Sequence, residues 1–270
     1  MQYRGGKLKK QIFYYEDELN DDFAADTVQH IRPLPDKYQY VKRNAFSKLF
    51  SFLLYRVIVR PLVWVYVKVK FRHKFVGRKK LCREKAGCLL YKNHVMLAGD
   101  AFIPNLISAR KRNYIITGKE TNSLQAILPL MRTLGNIPLG QNAAQNLSML
   151  KCMRQRVQEG ASITVYPEAH IWPYYTGIRP FLDASFYYAV ALKAPVFCAT
   201  SCFQKKRFGK TPRVITFIDG PFYPEAGMGR AESAKYLRDK VYETMCLRAK
   251  ENSLYAAHEY RKKENVENNG

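Results

Sequence analysis

The sequence predicts an α/β domain in which helices pack on a mainly parallel sheet. Short apolar runs alternate with longer helical patterns from residue 76 to about 250. The distinctive polar motifs fall where those runs end, which is where open α/β sheets hold their ligands. At 270 residues and 47% hydrophobic content, the chain has material enough for a buried core.

Residues 1–41 carry six Lys or Arg against seven acids and include Pro33 and Pro35, which predicts a polar arm or loosely docked region. Residues 42–75 form a basic, apolar segment. The domain proper spans 76–252, with a strand over 86–92, a helix over 97–108, a strand over 114–117 and a helix over 123–134. A short run at 137–139 follows, then a helix over 143–159 and a strand over 162–166. Beyond a Pro-containing loop at 167–181 come a helix over 182–192, strands over 195–203 and 214–218, and a charged helix over 231–250. The polar tail, 253–270, is expected to fray.

The net charge of +23 points to an anionic partner. It is concentrated: residues 42–85 hold fourteen Lys or Arg and a single acid, Glu84. That basicity coincides with the most apolar stretch of the chain, 46–67. Arg56, Arg60 and Pro61 interrupt the stretch, so no uncharged run reaches the roughly 20 residues of a bilayer span. The composition fits an amphipathic segment lying in the membrane interface, with Phe, Leu and Trp in the acyl boundary and Lys and Arg on anionic headgroups. An ordinary core-facing helix with a solvated basic face is the other reading. Nucleic acid is not the expected partner, because the aromatics sit inside apolar runs and no zinc-finger or RNA-recognition signature is present.

Six cysteines without a Cys-x-x-Cys pair imply neither zinc nor a disulfide framework. With no N-terminal signal peptide pattern, a reducing, cytosolic setting is expected. There is no Gly-x-Ser-x-Gly elbow, phosphate-binding P-loop or His-Glu-x-x-His metal motif.

The chemistry-bearing motif is Asn93-His94 at the end of the run 88–91, followed by Asp100, the only carboxylate between His94 and Glu120. An imidazole at a strand end, with a carboxylate to orient it, can take the proton of a substrate hydroxyl. Further along come Ile115-Ile116-Thr117-Gly118-Lys119-Glu120, then Gly135-Asn136-Ile137-Pro138-Leu139-Gly140, then Tyr166-Pro167-Glu168, and finally Ala194-Pro195-Val196-Phe197. In order and spacing, over roughly residues 75–220, the stretches beginning at Asn93, Gly135, Tyr166 and Ala194 resemble the four blocks of the glycerolipid acyltransferases that acylate glycerol-3-phosphate and 1-acylglycerol-3-phosphate, and Ile115 to Glu120 is similar to the strand and Lys-Glu pair that follow the first block.

Three departures accompany the resemblance. Five residues separate His94 from Asp100 where the family has four; on one regular helix an offset of six turns two side chains about 240° apart. A turn or bulge must absorb the extra residue, and Gly99 is the place the sequence suggests. Gly140-Gln141 stands where the second block ends in a phosphate-binding arginine, and Ala169-His170-Ile171 replaces the Gly-Thr-Arg of the third. Arg179 is the substitute cation, since guanidinium binds phosphate bidentately.

The resemblance implies direct transfer. His94, oriented by Asp100, deprotonates an acceptor hydroxyl that attacks an acyl thioester of coenzyme A or acyl carrier protein, with no cofactor and no covalent acyl-enzyme. It further implies substrate-binding roles for Asn93, Lys119, Gly135, Glu168 and Arg179, with Glu168 shaping its loop and oxyanion donors near 166–181. The acceptor is a lysophospholipid or related molecule, and the setting is the cytoplasmic face of a membrane with anionic lipids as partners. The alternative is a non-catalytic membrane-surface protein that retains the acyltransferase fold.

Overall fold

The computed structural model describes residues 10–23, 33–35, 38–41, 44–108, 110–118, 131, 133–208 and 211–263. A short strand β1 (Ile12–Tyr15) precedes a helical stretch made of α1 (Ala45–Leu53), a π-helical turn (Leu54–Val59) and α2 (Arg60–Phe71). Then follow β2 (Lys74–Val76), α3 (Arg78–Arg83), β3 (Cys88–Lys92), α4 (Leu97–Phe102), α5 (Pro104–Ile107), β4 (Asn113–Thr117) and β5 (Asn136–Pro138). The chain continues through α6 (Ala143–Gln158), β6 (Ser162–Val165), a 3-10 turn (Ala184–Phe186), α7 (Tyr187–Leu192), β7 (Val196–Gln204), β8 (Arg213–Phe222), α8 (Arg230–Asn252) and β9 (Glu259–Lys262). The helix expected over 123–134 lies mostly outside the described residues.

Seven strands form one sheet in the order β2-β8-β7-β3-β6-β4-β5. Every pairing is parallel except β7 with β8, so β2 and β8 run against the other five. The sheet is thus mainly parallel and flanked by helices, as the alternation of apolar runs predicts. β3 and β6, buried at every position, lie side by side at its centre. One face packs under α6, α7 and α8, where Met149, Met153, Leu237 and Val241 meet Leu89, Tyr91 and Ile163. On the other, Leu90 and Phe197 join Leu81 and Ile107. Each such fully buried side chain contributes about 1.5–3 kcal/mol relative to exposure.

Both chain ends depart from expectation. β1 pairs in parallel with β9, Phe13 opposite Tyr260, so the tail does not fray through Lys262 and the arm is docked over 10–23. Aromatic rings hold this second sheet: Phe13 stacks on Tyr260 at 5.1 Å, and Tyr260 stacks on the fully buried Trp172 at 4.9 Å. Trp172 also donates Nε1–H to the Asp21 carbonyl at 2.8 Å. These two short strands associate because Phe13, Tyr15 and Tyr260 present aromatic faces to one another and to Trp172 of the loop.

The apolar segment is one unbroken helical stretch rather than an interrupted one. Pro61 follows directly on the π-helical turn, whose wider spacing carries the helical path across the N–H that proline lacks. Arg56 and Arg60 bend inward to donate to the carbonyls of Arg110 and Ser108. Residues Leu49–Phe71 are consequently long and apolar enough to cross a membrane, by length and composition alone. Tyr55, Val63, Val67 and Phe71, at four- and eight-residue spacing, face the domain. Leu49, Phe50, Val57, Leu62, Trp64 and Val69 are exposed around the rest.

Candidate active site

The C-terminal ends of β3 and β6 emerge together, since Tyr91 pairs with Val165. β3 leads into Asn93-His94 and β6 into Tyr166-Pro167-Glu168. Asn93, 1% exposed, accepts from the Ser201 N–H at 2.8 Å and donates to the Ser201 carbonyl at 3.1 Å. Both ends of its amide therefore lock the strand exit onto β7.

His94 lies two residues before Met96, the N-cap of α4, and so is not on the helix that carries Asp100. The extra residue is absorbed in this extended lead-in, not at Gly99, which sits inside α4 against the Met96 side chain. Asp100, on the first turn, turns back: its Oδ2 accepts from His94 Nδ1 at 2.8 Å and from the Met96 N–H at 2.9 Å. A carboxylate can only accept, so Nδ1 carries the hydrogen, and in the neutral ring the lone pair is then on Nε2. The His94 side chain is 16% exposed, and its ring stacks on Tyr166 at 4.2 Å.

Asp100 has a second partner that sequence reasoning passed over. Lys92, the last residue of β3 and fully buried, places Nζ 2.6 Å from Asp100 Oδ1 and 3.1 Å from the Asn93 carbonyl. Burial alone would raise the Asp100 pKa, but the charge of Lys92 and the hydrogen bonds from His94 and Lys92 prevail and hold it below the usual carboxylate value. The available signal was a lone lysine closing an otherwise apolar strand.

Glu168 joins the two strand exits. Buried at 3% exposure, it accepts from the His94 N–H at 2.7 Å through Oε2 and from the Arg179 N–H at 3.0 Å through Oε1. Burial pushes its pKa upward, opposed by Arg179 and these two N–H groups. The loop runs back along the histidine: the Trp172 N–H donates to the His94 carbonyl at 3.2 Å and the Tyr174 N–H to the Val95 carbonyl at 2.8 Å.

The other predicted site residues part company with this centre. Arg179 is 1% exposed, its guanidinium donating to the carbonyls of Glu168, His170 and Glu18 and lying 5.0 Å over the Trp172 ring. It braces the loop against the arm instead of offering a free cation. Gly135 stands at the start of β5, the end of the sheet opposite His94; its φ of 106° and the Asn113 carbonyl, which a Cβ would approach to 2.8 Å, explain the glycine. Gln141, in the arginine position, accepts from the Leu34 N–H at 3.1 Å and so helps seat residue 34. Lys119 lies outside the described residues. In the 166–181 loop the N–H groups of Ala169, His170, Trp172, Tyr174, Tyr175 and Arg179 all have protein acceptors, so none of these six is a free oxyanion donor.

The larger cavity, about 320 Å³, is elsewhere, lined by Arg112, Tyr114, Asn136 and Arg156 near the starts of β4 and β5. Beside the histidine segment is a crevice of about 20 Å³ between α2 and α4, lined by Tyr66, Phe71, Met96, Leu97 and Tyr174. Among the described residues no group of three or more His, Cys, Asp or Glu could hold a metal.

Residues 72–201 match the sequence model of the family described as Acyltransferase. No curated protein matches the chain. Among solved structures, the 1-acyl-sn-glycerophosphate (LPA) acyltransferase PlsC from Thermotoga maritima resembles it with a TM-score of 0.52 at 15% identity, over 77% of this chain and 83% of that one. At that identity the likeness is one of fold.

Proposed function

We propose that this chain moves a fatty acyl group from an acyl thioester to a hydroxyl of a lysophospholipid or related acceptor, a reading supported by the match of residues 72–201 to the acyltransferase family. The observation that carries this reading is the 2.8 Å contact between His94 Nδ1 and Asp100 Oδ2, which leaves Nε2 as the base at the mouth of the central strands. Nε2 takes the acceptor's hydroxyl proton as its oxygen attacks the thioester carbonyl. Collapse of the tetrahedral adduct expels the thiolate, which recovers the proton from the imidazolium. Asp100 holds the ring and balances its transient positive charge.

The donor is acyl-CoA or acyl carrier protein, with no cofactor. Support for a membrane setting, at the cytoplasmic face, comes from the exposed apolar side of Leu49–Phe71 and the surrounding positive charge, which suits anionic lipid. The engaged Gln141 and Arg179 favour an acceptor whose recognition does not rest on two arginines. The same two residues are the case for the other reading, a membrane-surface protein of this fold without turnover.

Thioester consumption decides between them, with acyl-CoA and acyl carrier protein donors, lipid and non-lipid acceptors, and anionic vesicles. Acceptor-dependent turnover should fall about 10²- to 10⁴-fold in His94→Ala. Vesicle binding without turnover on any acceptor, or a His94→Ala variant as active as wild type, would overturn the catalytic reading.

A further inference from the structure

β3 alternates strictly: Leu89 and Tyr91 enter the core under α6–α8, while Cys88 and Leu90 enter the other with Leu81 and Ile107. By period, position 92 belongs with Cys88 and Leu90, where an apolar side chain would continue the pattern. Lysine there is 0% exposed. A buried ammonium is costly unless paired, so a sequence that keeps one departs from the local rule for a reason beyond packing.

Its partners indicate that reason. We propose that Lys92 is a positioning residue for the base, a role that rests on the acyltransfer reading: its ammonium takes Oδ1 of Asp100, leaving Oδ2 to the imidazole, and it balances the carboxylate's charge. The 2.6 Å contact to Oδ1 and the 2.8 Å contact from His94 to Oδ2 divide the carboxylate between the ammonium and the imidazole. The Met96 N–H, also on Oδ2, fixes the carboxylate plane. With Lys92 present, the trio of Lys92, Asp100 and neutral His94 carries no net charge. Without it the trio carries a full negative charge, which favours the imidazolium and so removes the base. Tyr166 ties the layers together, its ring 4.2 Å from His94 and 5.6 Å from the Lys92 ammonium, while its hydroxyl donates to the Asp100 carbonyl.

The other titratable groups facing this cluster are Glu168 on the His94 N–H, Tyr166 from the β6 exit, and His73 and Cys202, which feel the Lys92 charge from ahead of β2 and from β7. All remain in a Lys92 variant, so a displaced pH profile reports the ammonium.

The test compares wild type, Lys92→Met, Lys92→Arg and His94→Ala as full chains in anionic vesicles. It reads acceptor-dependent thioester consumption across the pH range, together with NMR titration of the His94 ring. Lys92→Met should move the rising limb of the rate profile and the ring midpoint to higher pH by about one unit or more. Its rate should fall roughly tenfold near neutrality and recover at alkaline pH, with KM within about twofold. Lys92→Arg, retaining the charge, should keep the wild-type midpoint. A uniform loss at every pH, or an unmoved midpoint in Lys92→Met, overturns the proposal. If Lys92→Met does not fold, a displaced midpoint in Lys92→Arg overturns it and an unmoved one supports it; failure of both to fold makes Lys92 a folding residue only. Equal turnover by wild type and His94→Ala would instead sink the acyltransfer reading, while the ring midpoint still judges Lys92.

Discussion

Replacing Glu168 by glutamine tests whether this residue organises the site or touches substrate. Its two oxygens accept the His94 N–H at 2.7 Å and the Arg179 N–H at 3.0 Å. Glutamine keeps one acceptor and turns an amide N–H₂ towards the other donor. The lost bond to a charged acceptor is worth about 1.5–3 kcal/mol, and the stranded N–H costs about 1–3 kcal/mol. Part is returned because a neutral amide is buried more cheaply than the carboxylate, whose pKa burial already raises. The net expectation is about 2–4 kcal/mol, or a Tm lower by about 4–7 °C for a chain of this size. Because His94 itself is released, kcat should fall about 10²-fold, as for an ångström-scale misplacement, with acceptor KM within about twofold. Calorimetry and steady-state kinetics on the same preparation read both quantities. An unchanged Tm with a raised KM would refute the bracing role and move Glu168 into the substrate contact.

Arg179→Met should cost about 3 kcal/mol of stability through lost carbonyl contacts and leave the KM for a phosphate-bearing acceptor unchanged; a KM rise without destabilisation would restore it as a phosphate ligand. His73 is 1% exposed, and burial, then Lys92 and Lys68, lowers its pKa from 6.5 to about 3. Since the folded pKa lies below the unfolded one, the stability it contributes is present above pH 6.5 and is lost as pH falls towards 3, up to about 5 kcal/mol. His73→Gln, able to keep the 2.8 Å bond to Thr216, should flatten that part of the acid melting profile, and an unaltered profile would refute the assignment. Leu62→Ser with Trp64→Ser, at side chains 64% and 53% exposed, should weaken vesicle partitioning about 10- to 30-fold with Tm unchanged; equal partitioning would remove the helix from the membrane contact.

Strand and helix positions were legible because they are local. The apolar run before Asn93 became β3, and the period of residues 143–159 became α6, each within a residue or two of its predicted end. Other features were misread because local rules meet long-range partners. Arg56 and Arg60 look like breaks in an apolar span until their guanidiniums find the Arg110 and Ser108 carbonyls. The strands β1 and β9 look like a loose arm and a fraying tail because their partners lie about 250 residues apart.

The mainly parallel sheet was already legible along the chain, since short continuous apolar runs, covered on both faces, alternate with 3.6-period helices. So was the placing of His94 and Glu168 just beyond strand ends, with Asp100 close behind the histidine. How they meet depends on the folded chain. Helical arithmetic set His94 and Asp100 apart, but an extended lead-in brings them to 2.8 Å. Asn93 and Arg179 serve as locks because buried amides and guanidiniums must satisfy their donors on whatever backbone lies within reach. Lys92 acquired a role because the fold delivers Asp100 to a buried position from which water is excluded, and there a charge must be answered by another.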